Sequence, residues 1–321
     1  MQETAAIILA AGISSRMKTG IPKVLHRVCG RAMLDYVLDA CRQAGVNRIY
    51  VVVGRGAEQV KDRYKDASDI VWVYQDQQKG TAHAVMCCRD HLQDFQGSTM
   101  VLCGDGPLIQ GRTLCELIQN REKDNAAASL ATAVLEDPTG YGRIVRDDNG
   151  AIKAIIEHND CISEQLAIHE VNPSYYIFDN QQLFGMLEKV GSDNAKNEYY
   201  LTDIIPLMLQ ASLTVTAVNA LSPEEALSVN SRDQLSFVGR VMQKRIQKEL
   251  IDSGVTIVDP DNTWLEAGVK IGRDSCIEPF TYISGLTEIG RNCRIGPLVY
   301  LEGENKIEDG REVKPESCNR K

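Results

Sequence analysis

No apolar stretch in this chain of 321 residues approaches the length that spans a bilayer, and the N-terminus lacks the charged-then-apolar run of a secretory signal. Membrane binding is therefore not expected, and a reducing cytoplasm is the expected location. The ten cysteines form no C-x-x-C pair, so zinc and thioredoxin-like readings have no support. Most fall in predicted strands and helices, where a thiol serves as a small hydrophobe. His26, His83, His91, His158 and His169 are scattered, and no Ser-His-Asp or Cys-His constellation stands out. That argues against a covalent nucleophile and for a substrate that carries its own. A formal net charge of −9 excludes nonspecific nucleic-acid binding, which demands a basic surface. Any phosphate site must then be a local positive patch.

What is present alternates. Strand patterns at 5–9, 48–53, 70–74 and 99–103 are separated by amphipathic stretches at 33–44, 57–64, 81–90 and 113–123. Val51-Val52-Val53 and Met100-Val101-Leu102 show no alternation, as expected of strands covered on both faces. Such a βαβ series predicts an α/β, Rossmann-like doubly wound parallel sheet, with ligands at the carboxyl ends of its strands. Further on, 141–146 and 151–157 read as a hairpin around Asp147-Asp148-Asn149-Gly150, and 174–178 and 214–219 as strands. The length suits one large and one smaller domain. The division expected is a catalytic domain over 1–230, a linker helix over 231–253 and a repeat domain with a polar tail over 254–321.

The repeat is in strict register. Leu265, Ile271, Ile277, Ile283, Ile289, Ile295, Leu301, Ile307 and Val313 recur every six residues, and the positions two places earlier are mostly small until Asn305 and Arg311. One aliphatic residue per hexad is the signature of a parallel β-helix, in which each flat face buries one side chain.

Chemistry concentrates at predicted strand ends. Leu9-Ala10-Ala11-Gly12-Ile13-Ser14-Ser15-Arg16-Met17 follows the first strand and closes at Pro22-Lys23. Small residues let backbone N–H groups approach an anion while Arg16 and Lys23 add positive charge, an arrangement that suits a nucleoside triphosphate. It is neither a P-loop nor a dinucleotide fingerprint, and an ordinary strand-to-helix loop with surface charges is the alternative. Asp105, in Cys103-Gly104-Asp105-Gly106-Pro107, reads as a Mg²⁺ anchor or as a turn aspartate that caps the next helix. Asn230 is a second metal oxygen or an N-cap. Gln75 and Gly80-Thr81 suit a base edge or a plain polar loop. Gly142, Glu157 and Asn172 suit sugar hydroxyls, or are surface polar residues.

Taken together, these motifs resemble the sugar-1-phosphate nucleotidyltransferases, and among them the uridylyltransferase half of the bifunctional bacterial enzyme that makes UDP-N-acetylglucosamine. The matching stretches run from Leu9-Ala10-Ala11-Gly12, Arg16-Met17 and Pro22-Lys23 through Gln75, Gly80-Thr81 and Gly104-Asp105. They continue with Asp137-Pro138-Thr139-Gly140-Tyr141-Gly142-Arg143, Glu157-His158, Glu170-Val171-Asn172, Glu198-Tyr199-Tyr200-Leu201-Thr202-Asp203 and Val229-Asn230. The resemblance implies that Leu9, Ala10, Ala11, Gly12, Arg16 and Lys23 hold base and triphosphate. It gives uracil selection to Gln75, Gly80 and Thr81, with Gly104 beside them, and Mg²⁺ to Asp105 and Asn230. Gly142, Glu157, Asn172, Tyr200 and Thr202 would take the amino sugar. The implied substrates are UTP and N-acetylglucosamine 1-phosphate. A different sugar 1-phosphate or nucleotide, or a non-catalytic sugar-nucleotide sensor, stays open, because Pro173-Ser174 stands where the family usually continues Thr-Gly. The family's full-length members end in a long left-handed β-helix that trimerises and transfers an acetyl group. Nine hexads make about three coils, so a short left-handed β-helix without acetyltransferase activity is expected, with a homotrimer left open.

Overall fold

The apolar run Ala5-Ala6-Ile7-Ile8 lies fully buried in the strand Thr4–Leu9, between parallel neighbours Arg48–Val53 and Ser98–Cys103. The computed structural model describes residues 2–12, 15–194 and 196–315; Ile13 and Ser14 of the opening loop, and the tail with Cys318, lie outside them. The seven strands of the main sheet run in the order Val215–Val218, Ala128–Ala131, Tyr176–Asp179, Ser98–Cys103, Thr4–Leu9, Arg48–Val53 and Ile70–Tyr74. The expectation of an all-parallel sheet is corrected at one strand: Tyr176–Asp179 is antiparallel to both neighbours. The chain returns there directly from a small second sheet, and only a parallel entry requires a long crossover. Helices such as Met33–Gln43 and Gly111–Lys123 cover the sheet with their buried faces, which include Leu34, Val37, Leu114 and Leu117.

The small sheet is antiparallel, in the order Ile152–Ile156, Gly142–Arg146, Glu170–Asn172 and Ala133–Val134. Its hairpin turns where the sequence places it. The Asp147 carboxylate accepts from the N–H groups of Asn149 and Ala151 at 2.9 Å each, and Gly150 takes the positive φ of 81° that the turn requires.

Backbone proximity divides the chain into two units. One contains the chain up to His26 and from Met33 to Ser231; the other contains Arg27–Ala32 and the chain from Arg232 onward. The second unit is a short left-handed parallel β-helix preceded by the helix Arg232–Asp252. Strands of successive coils stack in parallel: Ile277 pairs with Ile295, Ile283 with Leu301, and Ile289 with Ile307. The small positions of each hexad have a physical reason. Buried Ser275 donates to Gly290 O at 2.8 Å and accepts from Cys293 N at 3.0 Å, so the hydroxyl pairs backbone groups that a larger side chain would strand. Asn305 extends the same ladder by donating to Thr287 Oγ1 at 3.1 Å.

The helix Arg232–Asp252 belongs to this unit and is not a bare spacer. Its buried Gln247 donates to Pro260 O and Thr263 O at 2.8 Å each, and Gln243 accepts from Leu265 N at 3.0 Å. The hairpin Arg27–Val28/Arg31–Ala32 joins the unit too: Ala267 N donates to Cys29 O at 2.9 Å, and Gln243 Nε2 to Cys29 Sγ at 3.2 Å. Truncating a core position of this solenoid leaves a cavity between flat faces that cannot collapse. Ile283→Ala is therefore expected to cost about 2–5 kcal/mol, read as earlier denaturant unfolding of the second unit.

Candidate functional site

The parallel strands of the first unit deliver Leu9, Val53, Tyr74 and Cys103 to one edge of the sheet, and the loops that follow line a cleft there. A cavity of about 470 Å³ is walled by Leu9, Ala10, Ala11 and Gly12, by Lys23, by Gln75, Gly80 and Thr81, and by Cys103 and Asp105. A smaller one of about 170 Å³ is walled by Glu157, Ser174, Tyr176, Lys196, Tyr200 and Thr202. The two share Leu9, Thr81 and Glu198. A third, of about 550 Å³, meets the first at Gly12 and Lys23 and carries the cations Lys18 and Arg55. Charge thus grades along the cleft from cationic to acidic and hydroxylic.

Lys23 sits at the junction of the first and third cavities. Its ammonium donates to Asp105 Oδ2 and, at 2.8 Å, to Asn230 Oδ1. Asp105 does not cap the helix that follows it, which starts at Gly111 behind Gln110. Asp105 is held by the buried turn after Cys103, where Gly104 N donates to Leu9 O at 3.0 Å. Asn230 is reached because Val229 N donates to Asp105 O at 3.0 Å, which binds the two stretches together. Two hard oxygens converge on one cation. This donor set suits Mg²⁺, which binds through one or two protein oxygens and completes its shell with phosphate and water. Among the described residues no group of three or more His, Cys, Asp and Glu gathers to form an all-protein metal cage.

Gln75, only 3% exposed, spends its amide N–H groups inside the loop. Nε2 lies 3.2 Å from Gly80 O and 3.0 Å from His83 Nδ1. The side-chain carbonyl is what remains for a ligand. Thr81 Oγ1 accepts from Leu201 N at 2.9 Å, and Ala82 N donates to Tyr199 O at 2.9 Å, so the 79–82 and 199–201 segments are clamped together.

In the smaller cavity, Thr202 Oγ1 donates to Glu157 Oε1 at 3.3 Å. Burial raises the Glu157 carboxyl above its ordinary value, with the Thr202 hydrogen bond as a partial offset. A raised folded pKa opposes stability once the group must ionise, so Glu157 stabilises the fold most fully below the unfolded carboxyl pKa and loses that contribution as pH rises. Glu157→Gln is accordingly expected to raise the melting temperature at pH 8 relative to wild type and to leave it unchanged at pH 4, measured by calorimetry without ligand. Tyr200 is 8% exposed, its hydroxyl has no hydrogen-bond partner among the described residues, and burial pushes its pKa up to about 12. A buried, unpaired phenol that lines a cavity is a hydrogen-bonding site awaiting a ligand.

Not every expected residue lines these cavities. Arg16 stands exposed on a single helical turn, Ser15–Met17. Gly142 is buried behind Glu157, whose Oε1 would lie 3.6 Å from an added Cβ. At Gly104, too, space is tight: an added Cβ would meet Leu9 O at 3.1 Å. Asn172 is turned inward: it donates to Tyr176 Oη at 2.6 Å and accepts from Ser174 N at 3.2 Å. Gln78, Cys103, Ser174, Tyr176, Lys196 and Glu198 line the cleft without having been singled out as ligands. Glu198 stood inside a recognised motif; Gln78 had no signal at all.

A strand-end cleft of this kind, on a mixed α/β sheet, is a nucleotide-handling architecture. Residues 6–170 match the MobA-like NTP transferase domain, and the chain belongs to that family. Among curated relatives, the bifunctional protein GlmU of Pelobacter propionicus is 42% identical over 288 residues, 90% of this chain and 63% of its own length. The GlmU proteins of Listeria innocua and of Geobacillus sp. are 43% and 45% identical, over 89% and 88% of this chain and 62% and 61% of their own lengths. The chain thus spans less than two thirds of the relatives it matches. In fold, it resembles a crystal structure of UDP-glucose pyrophosphorylase complexed with UDP-glucose, with a TM-score of 0.60 at 17% identity, covering 76% of this chain and 100% of that one.

Proposed function

We propose that this chain is a Mg²⁺-dependent uridylyltransferase that joins UTP and N-acetylglucosamine 1-phosphate into UDP-N-acetylglucosamine and releases pyrophosphate. The observation that carries the reading is the convergence of Asp105 and Asn230 on the Lys23 ammonium, at the point where the cation-lined cavity meets the central one. A binding-only protein has no use for a paired-oxygen cation site beside a polyphosphate-sized cleft.

The reaction asks little covalent chemistry of the protein. The sugar phosphate oxygen attacks the α-phosphorus of UTP and pyrophosphate leaves in line, so positioning and charge neutralisation supply the rate. The small residues Ala10, Ala11 and Gly12 let the backbone close on the nucleotide. The carbonyl of Gln75 accepts from the N3–H of uracil; cytosine, which presents an acceptor at that atom, leaves two acceptors facing each other. Lys23 exchanges its carboxylate and amide partners for nucleotide phosphates, and Arg16 and Arg55 balance the departing pyrophosphate. Asp105 and Asn230 would hold the metal, which when bound neutralises phosphate charge and aligns the attacking and leaving oxygens. In the smaller cavity, Glu157, Thr202 and the unpaired Tyr200 hydroxyl receive the sugar.

The supporting test is a substrate panel. UTP with N-acetylglucosamine 1-phosphate should release pyrophosphate faster than UTP with glucose 1-phosphate, and CTP should be at least about 10-fold poorer than UTP, the cost of one mispaired buried hydrogen bond. Equal turnover of CTP and UTP would refute the assigned role of Gln75, and a preference for glucose 1-phosphate would refute the assigned sugar.

A further inference from the structure

Gln75 enters the cleft with its backbone fixed and one end of its side chain held. Gln75 N donates to Val53 O at 2.8 Å as the strand Ile70–Tyr74 ends. The residue is buried, and its Nε2 lies 3.2 Å from Gly80 O and 3.0 Å from His83 Nδ1.

The chemistry of these partners decides which end of the amide faces the loop. A backbone carbonyl only accepts, so the atom beside Gly80 O is the nitrogen, and one of its two hydrogens is used there. The second hydrogen goes to His83 Nδ1, which must then accept. An imidazole nitrogen accepts only while it carries no proton, so the His83 ring proton sits on Nε2. The Gln75 carbonyl is left for the cavity that this residue lines.

Gly80 O by itself is a weak hold on an amide whose two ends differ little in size, since it also accepts from Ala84 N at 3.2 Å. The imidazole supplies the second and shorter bond. His83 is carried by the helix Thr81–Met86 on backbone pinned at both sides: Ala82 N donates to Tyr199 O at 2.9 Å, and Cys87 N to His83 O at 3.1 Å.

On the uridylyltransferase reading above, we infer that His83 is a positioning residue for nucleotide specificity. Its Nδ1 lone pair holds the Gln75 amide so that the carbonyl, and not the NH2 group, meets the pyrimidine edge. A donor in place of that lone pair turns the amide over, and the cleft then offers N–H groups to the base. Uracil, with a hydrogen on N3, loses its partner; cytosine, with a lone pair there, gains one.

His83→Lys and His83→Asn in the whole chain test this by opposite chemistry at one position. Lysine only donates, whereas the asparagine carbonyl stands as many bonds from the backbone as Nδ1 and accepts in its stead. In His83→Lys the UTP-to-CTP ratio of kcat/KM should fall by at least about 10-fold, the effect of one mispaired buried hydrogen bond, with kcat/KM for CTP rising in absolute terms. His83→Asn should keep the ratio within about 3-fold of wild type. A merely structural role lowers both nucleotides alike. An unchanged ratio in His83→Lys, no rise for CTP, or an equal fall in His83→Asn therefore overturns the inference, as does equal use of UTP and CTP by wild type. Nitrogen-15 NMR of the wild-type chain in mildly alkaline buffer gives a reading that needs no variant to fold: His83 Nδ1 should be the unprotonated ring nitrogen, and a proton on Nδ1 overturns the inference. If wild type releases no pyrophosphate from any nucleotide, the uridylyltransferase reading fails by itself. Calorimetric titration with UTP and with CTP then decides the role of His83. An affinity ratio that favours UTP and falls about 10-fold in His83→Lys sustains it. The same ratio in both proteins, or no nucleotide binding to wild type, overturns it.

Discussion

Asp105→Ala is expected to lower kcat for pyrophosphate release by about 100- to 1,000-fold, the scale seen when a preorganised electrostatic contact to a developing charge is removed. The carboxylate stands at the end of the buried strand Ser98–Cys103 and, together with the Asn230 amide oxygen, accepts from the Lys23 ammonium. Its removal leaves Asn230, a neutral donor, to hold a divalent cation alone. The fold should survive, since Val229 N bonds to the backbone carbonyl of residue 105 and not to the side chain. Circular dichroism and melting temperature check that point, and calorimetric titration with Mg²⁺ and UTP should show weakened metal uptake. A variant within about 10-fold of wild type would remove Asp105 from the centre of the site.

Gly80→Ala is expected to reduce kcat/KM for UTP by about 100-fold, through displacement of a wall rather than loss of a contact. Gly80 has a φ of +111°, and an added Cβ would run into the backbone of Tyr199. That backbone is pinned: Tyr199 N donates to Lys79 O at 2.8 Å, and Ala82 N donates to Tyr199 O at 2.9 Å. Neither segment can yield without opening the clamp that also carries Thr81 and Glu198, residues common to both cavities. Gly80 O is moreover the acceptor that orients Gln75, so the base contact should loosen with it. The signature is a KM for UTP that rises together with a fall in kcat, along with a melting temperature several degrees lower. A variant with wild-type KM would mean that the loop relaxes freely.

The solenoid was the most legible part of the chain, because one aliphatic residue per hexad has a single physical outlet and each such residue from Leu265 to Ile295 is buried. The parallel core was nearly as clear, since Ala5-Ala6-Ile7-Ile8 and Val51-Val52-Val53 admit water on neither face. Tyr176–Asp179 was read as a strand, but strand direction depends on how the chain returns to the sheet, which periodicity does not record. The Arg27–Val28/Arg31–Ala32 hairpin was missed. Its turn puts Cys29, φ 46°, before Gly30, φ 85°, and cysteine at a left-handed position is no turn signal. In the cleft, the motifs place Leu9 to Gly12, Gln75, Gly80, Thr81 and Asp105 along one cavity, while Asn172 and Gly142 stand behind its walls. Asn172 is directed inward by Ser174 and Tyr176, contacts that exist only once the turn has formed, and Ser174 reaches the cavity for the same reason. At Gly104 and Gly142 an added Cβ would crowd Leu9 O and the Ile155 side chain, which is a reason for a small residue at each.

The most direct test of the whole account is pyrophosphate release by the purified chain from UTP and N-acetylglucosamine 1-phosphate with Mg²⁺, run beside Asp105→Ala and beside wild type in excess chelator. The account predicts stoichiometric pyrophosphate and UDP-N-acetylglucosamine from wild type, and loss of both with the variant and with the chelator. No release from folded wild type, or undiminished release from Asp105→Ala, would contradict it.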